Sequence, residues 1–228
     1  GTAISIGGLG SIFWMVIVGL VGMATKYSEA LLAVTYRKQE KNGTMSGGPM
    51  YYIERGLGWK WLGVTFAIFG AITALGTGNM IQAHSVEDAL SQFYSFNPWL
   101  IGAVLAVCTG AVILGGVRSI GGVASVLVPV MALVYVLSGL YVLSVNIHHL
   151  PQALWMIVEA AFKGQAAIGG FLGSTLIIAL QQGVSKGIFS NESGLGSAPI
   201  AAAAAKTDHP GRQALVAMMG TFFTVLVT

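Results

Sequence analysis

Hydrophobic positions in this chain form long continuous runs instead of alternating with polar ones. The runs cover residues 11–36, 61–84, 98–114, 122–146, 151–184 and 212–228. A helix needs roughly 20 apolar residues to cross a bilayer, whereas barrel strands alternate over about ten. The pattern predicts an all-α polytopic membrane helix bundle, with residues 1–228 forming a single transmembrane domain. Because the chain starts at Gly1 and ends inside an apolar run, we expect a fragment truncated at both ends.

The fifth run, residues 151–184, is interrupted by a glycine-rich stretch at 164–173. Each glycine in a helix costs about 1 kcal/mol relative to alanine, so the spacing predicts a broken helix. Backbone groups freed at membrane depth must face protein or a watery cavity, and transporters hold substrates and ions at such breaks. The alternative is helix packing, because Gly169 and Gly173 are spaced as Gly-x-x-x-Gly.

Charge predicts the orientation of the runs. The chain is 55% hydrophobic and 8% charged, with mean hydropathy +0.78 and formal charge +3. Nine of its 11 basic residues fall in the loops after the first, third and fifth runs. Basic loops mark the cytoplasmic side, so residues 187–200 are predicted to lie at the cytoplasmic face. We expect a multi-pass protein of a bacterial or archaeal plasma membrane.

Polar side chains inside the runs are candidates for function or for packing. Asn79 and Gln82 are three residues apart and share a helix face, where they could bind a zwitterion or form interhelical hydrogen bonds of about 0.6 kcal/mol. Lys26 and Glu29 have the same spacing, and a structural pair near the cytoplasmic boundary is favoured over a gating role.

Signatures of enzymes are weak in this sequence. Neither Ser193 nor Ser197 completes a Gly-x-Ser-x-Gly motif. No Walker-type phosphate loop occurs, and the four histidines lack metal-ligand spacing. We therefore predict neither an enzyme nor a primary pump.

Residues 187–200, with the sequence GIFSNESGLGSAPI, closely resemble the signature of the alanine or glycine:cation symporter family. The resemblance extends to FWM at 13–15, GMATKY at 22–27, GGPMYYI at 47–53, GNMIQ at 78–82 and VPVMA at 128–132. It departs at Gln182 and Lys186, where arginines are expected, and at Ala203, where histidine is common.

The resemblance implies a leucine-transporter-type fold with two inverted five-helix repeats. It also implies sodium-coupled symport of alanine or glycine by alternating access, with sodium as the coupling ion and no cofactor. The expected partners are the small amino acid, sodium and the lipid bilayer, with no nucleic acid. The broken run then corresponds to the sixth core helix, one helix is expected before Gly1, and the sodium ligands stay unassigned.

The implied mechanism assigns residues to two places. The predicted substrate-binding residues are Gln82, Gly78, Asn79, Gln165, Ile168, Gly169, Gly170 and Phe171. The predicted cytoplasmic gate or loop consists of Asn191, Glu192 and Ser193. Three alternatives stay open: a carrier for another solute, a proton-coupled carrier, and a structural membrane fragment that transports nothing.

Overall fold

The computed structural model of the chain describes residues 2–41, 43–74, 76, 79–94, 97–163 and 176–227. Its elements, in chain order, are α1 (Thr2–Gly7), α2 (Gly10–Thr35), β1 (Lys38–Gln39), β2 (Met45–Ser46), α3 (Pro49–Leu57), α4 (Lys60–Thr73), α5 (Asn79–Ser91), α6 (Pro98–Leu114), α7 (Gly116–Val145), α8 (Leu150–Lys163), α9 (Leu176–Asn191), α10 (Ser197–Ala203) and α11 (Pro210–Val227). Strands β1 and β2 pair antiparallel as a short hairpin. The described chain is thus nearly all helical, as the apolar runs predict.

The chain divides into two compact units, residues 1–68 with 148–228, and residues 69–147. In the first unit α2 lies at the centre and contacts α1, α3, α8, α9, α10 and α11. In the second unit α6 contacts both α5 and α7. Helices α9 and α10, which carry the two ends of the polar motif at 187–200, therefore both pack against the single helix α2.

Small residues on α2 allow this dense packing. The buried positions of α2 are Gly10, Ser11, Gly19, Gly22, Ala30, Ala33 and Val34. A Cβ atom added at Gly10 would lie 2.5 Å from the carbonyl oxygen of Ala160 on α8. One added at Gly183 on α9 would lie 2.6 Å from the carbonyl oxygen of Ser11. Glycine at such contacts lets helix backbones approach closely, as is typical of helices packed within lipid.

Two helices in the described chain are long and apolar enough to cross a membrane by length and composition, Gly10–Thr35 and Ser119–Val145. The second of these has no buried residue in its apolar window. Shorter apolar helices occupy Lys60–Thr73 and Pro98–Leu114. These helices correspond in position to four of the predicted runs.

Two of the predicted runs can be compared with the described helices at their ends. The run over 61–84 contains α4, which ends at Thr73, and α5, which begins at Asn79; residues 75, 77 and 78 between them lie outside the described residues, so the continuity of this span stays a prediction. Where the second half of the broken run is predicted to end at 184, α9 continues to Asn191. The extension follows from packing, because Gly183 and Gly187 lie one turn apart and both face α2, near Trp14 and Met15.

Candidate functional site

The polar segment folds into a tight reversal between α9 and α10, here called the α9–α10 loop (residues 192–196). Its backbone enters the left-handed region three times, at Glu192 with φ 50°, Gly194 with φ 81° and Gly196 with φ 79°. Glycine adopts this conformation without steric penalty, which explains two of the glycines in the motif. A side chain at Gly196 would also meet the Phe66 ring, 2.5 Å from its Cζ atom.

Two charged side chains of α2 hold the α9–α10 loop. Lys26 Nζ donates to the carbonyl oxygens of Asn191, at 2.9 Å, and Glu192, at 3.3 Å. Glu29 Oε2 accepts from the backbone N–H of Gly194 at 3.2 Å. Across the loop, Ser197 Oγ at the start of α10 donates to Glu192 Oε2 at 3.4 Å. The C-terminal half of α2 and the predicted gate residues are therefore joined by charge-assisted hydrogen bonds.

Helix α3 also packs on α2, and its Tyr52 interacts electrostatically with Glu29. Burial raises the pKa of the Tyr52 phenol above its ordinary value, and the Glu29 carboxylate adds to the shift. The phenol therefore stays neutral at physiological pH.

A second set of bonds ties the end of α10 to the chain that follows α2. Arg37 Nη1 donates to the carbonyl oxygens of Ala203 and Ala205, at 3.3 and 2.8 Å. Its Nη2 donates to the carbonyl of Thr207 at 2.8 Å. Ala203 ends α10, where a helix leaves carbonyl acceptors unpaired, and Ala205 and Thr207 lie in the chain that follows it. One guanidinium thus fixes the whole connection between α10 and α11.

Buried polar side chains lie where α9, α11 and α2 meet. Asn191 and Ser193, both predicted gate residues, are 7% and 6% exposed, and Thr221 on α11 is 2% exposed. A Cβ at Gly22 would lie 3.0 Å from Ser193 Oγ, and one at Gly19 would lie 3.2 Å from Asn191 Nδ2. The glycines of α2 leave room for these groups. Thr221 is absent from the sequence-based candidates, because a single threonine in an apolar run carries no sign of the helix it faces.

A cavity of about 110 Å³ opens between α1, α2, α9 and α11. Ser190 and Asn191 form its polar wall, and Ile4, Ile12 and Val225 are among its apolar residues. This volume has space for about three water molecules. The cavity therefore adjoins the predicted gate at Asn191.

Most of the predicted substrate-binding residues lie outside the described residues: Gly78, Gln165, Ile168, Gly169, Gly170 and Phe171. Asn79 begins α5, and its side chain is likewise outside the description. Gln82 is exposed on α5, in the unit of residues 69–147. The predicted substrate site therefore stays a prediction.

Three side chains on α5 that could bind a metal ion lie close together: His84, Glu87 and Asp88. His84 Nδ1 is 3.2 Å from Glu87 Oε2, and its Nε2 is 3.8 Å from Asp88 Oδ2. The histidine side chain is 72% exposed. Exposed ion pairs of this kind contribute little to stability, and we assign this group no function.

Comparison with known proteins identifies relatives along the whole chain. The model of the family described as "Sodium:alanine symporter family" matches residues 1–228. The chain is 52% identical to the sodium/alanine symporter AgcS of Methanococcus maripaludis, over 99% of the chain and 50% of that protein. It is 50% identical to an uncharacterized transporter of Haemophilus influenzae, with the same coverage.

A more distant relative carries a different substrate in its name. The probable sodium/glutamine symporter GlnT of Bacillus subtilis is 40% identical over 99% of the chain and 46% of its own length. The chain thus spans about half the length of the curated relatives it matches.

Proposed function

Because the chain belongs to the sodium:alanine symporter family, we propose that the full-length protein is a sodium-coupled symporter that imports a small neutral amino acid. The family is one of membrane transporters, not of enzymes. The observation that carries the proposal is the match over all 228 residues, together with 52% identity to a protein named as a sodium/alanine symporter. Alanine is therefore the first candidate substrate, and glycine is the second.

The proposed fold is a leucine-transporter-type bundle with inverted repeats. We assign α8 and α9, which lie on either side of residues 164–175, to the two halves of its broken sixth core helix. In such folds, half-helix ends hold the substrate and ions near the midplane. We place the amino acid against Gln82, Asn79 and the stretch from Gln165 to Phe171, and the small residues Gly78 and Gly169 leave room for a small side chain only.

We propose that Asn191, Glu192 and Ser193 belong to the gate that opens and closes the cytoplasmic side of the transporter. Lys26 and Glu29 bind the end of α9 and the α9–α10 loop to α2. When the bundle rocks during alternating access, α2 and the loop then move together. The gate residues are held against α2 through their backbone, and the amino acid binds elsewhere.

The relative named for glutamine gives a reason to test a larger substrate. Glutamine keeps the zwitterion of alanine and adds a long amide side chain. In proteoliposomes with the full-length protein, unlabelled alanine, glycine and glutamine each compete against labelled alanine. We expect the order alanine, glycine, glutamine, and inhibition by glutamine alone would contradict the proposed substrate class.

Gln82 is the described side chain on which the proposed substrate site can be tested. Replacing it in Gln82→Ala removes an amide that can hydrogen-bond the zwitterion, and a lost bond of about 1.5 kcal/mol raises the half-saturating alanine concentration about tenfold. The control is Gln92→Ala, which removes an exposed amide just beyond α5. Equal half-saturating concentrations in Gln82→Ala and the wild type would remove Gln82 from the site.

A further inference from the structure

Three buried oxygen atoms in the unit of residues 1–68 and 148–228 have no hydrogen-bond partner among the described residues. They are Asn191 Oδ1, Ser193 Oγ and Thr221 Oγ1. Each belongs to a residue that is at most 7% exposed. An unpaired buried polar atom costs about 1–3 kcal/mol, so three of them at one helix junction indicate a missing ligand.

The three side chains lie along one face of α2. A Cβ added at Gly22 would be 3.0 Å from Ser193 Oγ and 4.0 Å from Thr221 Cγ2. A Cβ added at Gly19 would be 3.2 Å from Asn191 Nδ2, which belongs to the same amide group as the unpaired Oδ1. Gly19 and Gly22 are three residues apart and therefore neighbours on the helix surface. The space beside this glycine face is thus bordered by α11, by the end of α9 and by the α9–α10 loop.

The chemistry of the three atoms favours a small monovalent cation. Two hydroxyls and an amide supply neutral oxygen atoms, which hard cations prefer as ligands. Sites for calcium and magnesium depend on carboxylates, and no carboxylate is among the three unpaired groups.

Two carboxylates lie at the same loop as the unpaired Ser193 hydroxyl. The Glu29 carboxylate accepts from the backbone N–H of Gly194, and the Glu192 carboxylate accepts from Ser197 Oγ. The Lys26 ammonium is bonded to the carbonyls of Asn191 and Glu192. Negatively charged groups close to neutral oxygen ligands favour a cation over an anion.

We propose that Asn191, Ser193 and Thr221 form a sodium site between α2, the end of α9 and α11. The identity of the ion rests on the proposed sodium-coupled function, whereas the site itself rests on the unpaired oxygens. Bound sodium connects α11 to the α9–α10 loop, and water in the adjoining cavity, which Asn191 also lines, completes its coordination. An ordered water molecule is the competing occupant, because it can accept from both hydroxyls and donate to the amide oxygen.

The test is thermal unfolding of the purified full-length protein without amino acid, with sodium chloride titrated against choline chloride. We expect sodium to raise the melting temperature of the wild type. In Thr221→Val and Ser193→Ala the half-maximal sodium concentration rises at least about tenfold, the effect of losing about 1.4 kcal/mol of binding. Thr221→Ser keeps the hydroxyl and retains the wild-type response.

Matched controls separate loss of the site from loss of any hydroxyl. Thr35→Val and Ser28→Ala remove exposed hydroxyls that are bonded to the carbonyls of Leu31 and Ala24, so the sodium response is unchanged. A sodium response of Thr221→Val and Ser193→Ala equal to that of the wild type would overturn the site, whether the melting temperature itself rises or falls. That result identifies water, or a group elsewhere in the protein, as the occupant.

The outcome is independent of the transport assay. If the wild type imports alanine with sodium but the variants keep its sodium-dependent melting shift, only the site is wrong. If the variants lose the shift but the wild type shows no sodium-driven uptake, the site stands and the proposed function fails.

Discussion

Lys26 and Glu29 show how two charges can be placed inside an apolar helix. They are three residues apart on α2, and each reaches a different backbone group of the α9–α10 loop. The ammonium satisfies two carbonyl oxygens, and the carboxylate satisfies one N–H, so polar backbone in a membrane-facing protein gains the partners it needs. The same two residues thus stabilise the reversal and attach it to α2.

Replacing the ammonium in Lys26→Met tests this attachment. Hydrogen bonds to a charged group contribute about 1.5–3 kcal/mol, and the partial exposure of Lys26 lowers the expected loss to about 1–2 kcal/mol. Amide hydrogen exchange at residues 192–196 should become faster in the full-length variant. Lys38→Met is the control, because Lys38 forms an exposed ion pair with Glu40 at 3.7 Å. Equal exchange at 192–196 in both variants would contradict the role of Lys26.

For single residues, the sequence shows which polar side chains are candidates for function, but it does not show which residues they contact. The density of polar groups at Asn191, Glu192 and Ser193 singles them out as a gate or loop, and the structure brings them together beside α2. Thr221 joins them only through the packing of α11 on α2, across 28 residues of chain from Ser193. Such a contact leaves no local pattern for a sequence to display.

Among the elements, α2 organises the unit of residues 1–68 and 148–228. Its buried face consists of glycine, serine, alanine and valine, and four helices from the C-terminal part of the chain pack on it. The connection between two of them, α10 and α11, is fixed at the far end of α2 by Arg37. Arg55 on α3 in turn donates to the carbonyl oxygen of Arg37 at 3.1 Å.

The variant Arg37→Gln tests whether one guanidinium holds this connection. Loss of its bonds to Ala203, Ala205 and Thr207 leaves the carbonyls after α10 without their charged donor, and hydrogen exchange in peptides covering 200–210 should become faster. Arg212→Gln is the matched control, because the Arg212 pair with Asp208 is 75% and 81% exposed and such pairs contribute about 0–1 kcal/mol. Faster exchange in the control alone would contradict the role of Arg37.

Element boundaries follow the sequence where apolar runs are bounded by clear signals. Helix α6 begins at Pro98 after Asn97, whose side chain accepts from the Trp99 N–H at 3.0 Å, and this cap is readable from residue types. The end of α9 is not readable in this way. Glycines such as Gly187 suggest a helix end, but here they give α9 a close contact with α2.

For the whole molecule, the amino-acid composition and the family both indicate a membrane protein. The chain has 8% charged residues and, among its described residues, two helices long enough to span a membrane, and the sodium:alanine symporter family to which it belongs is one of membrane transporters. Since the chain covers about half of its relatives, the complete activity belongs to the full-length protein. The predicted substrate residues lie mainly at 78 and 165–171, outside the described part of the chain. The proposed function is therefore tested by measuring transport.

The most direct measurement is uptake of labelled alanine into proteoliposomes that contain the full-length protein, under an inward sodium gradient. The account predicts accumulation above the external concentration with sodium, and none when choline replaces sodium at constant pH. Accumulation driven equally well by an inward proton gradient in choline, or no accumulation under any gradient, would contradict sodium-coupled symport.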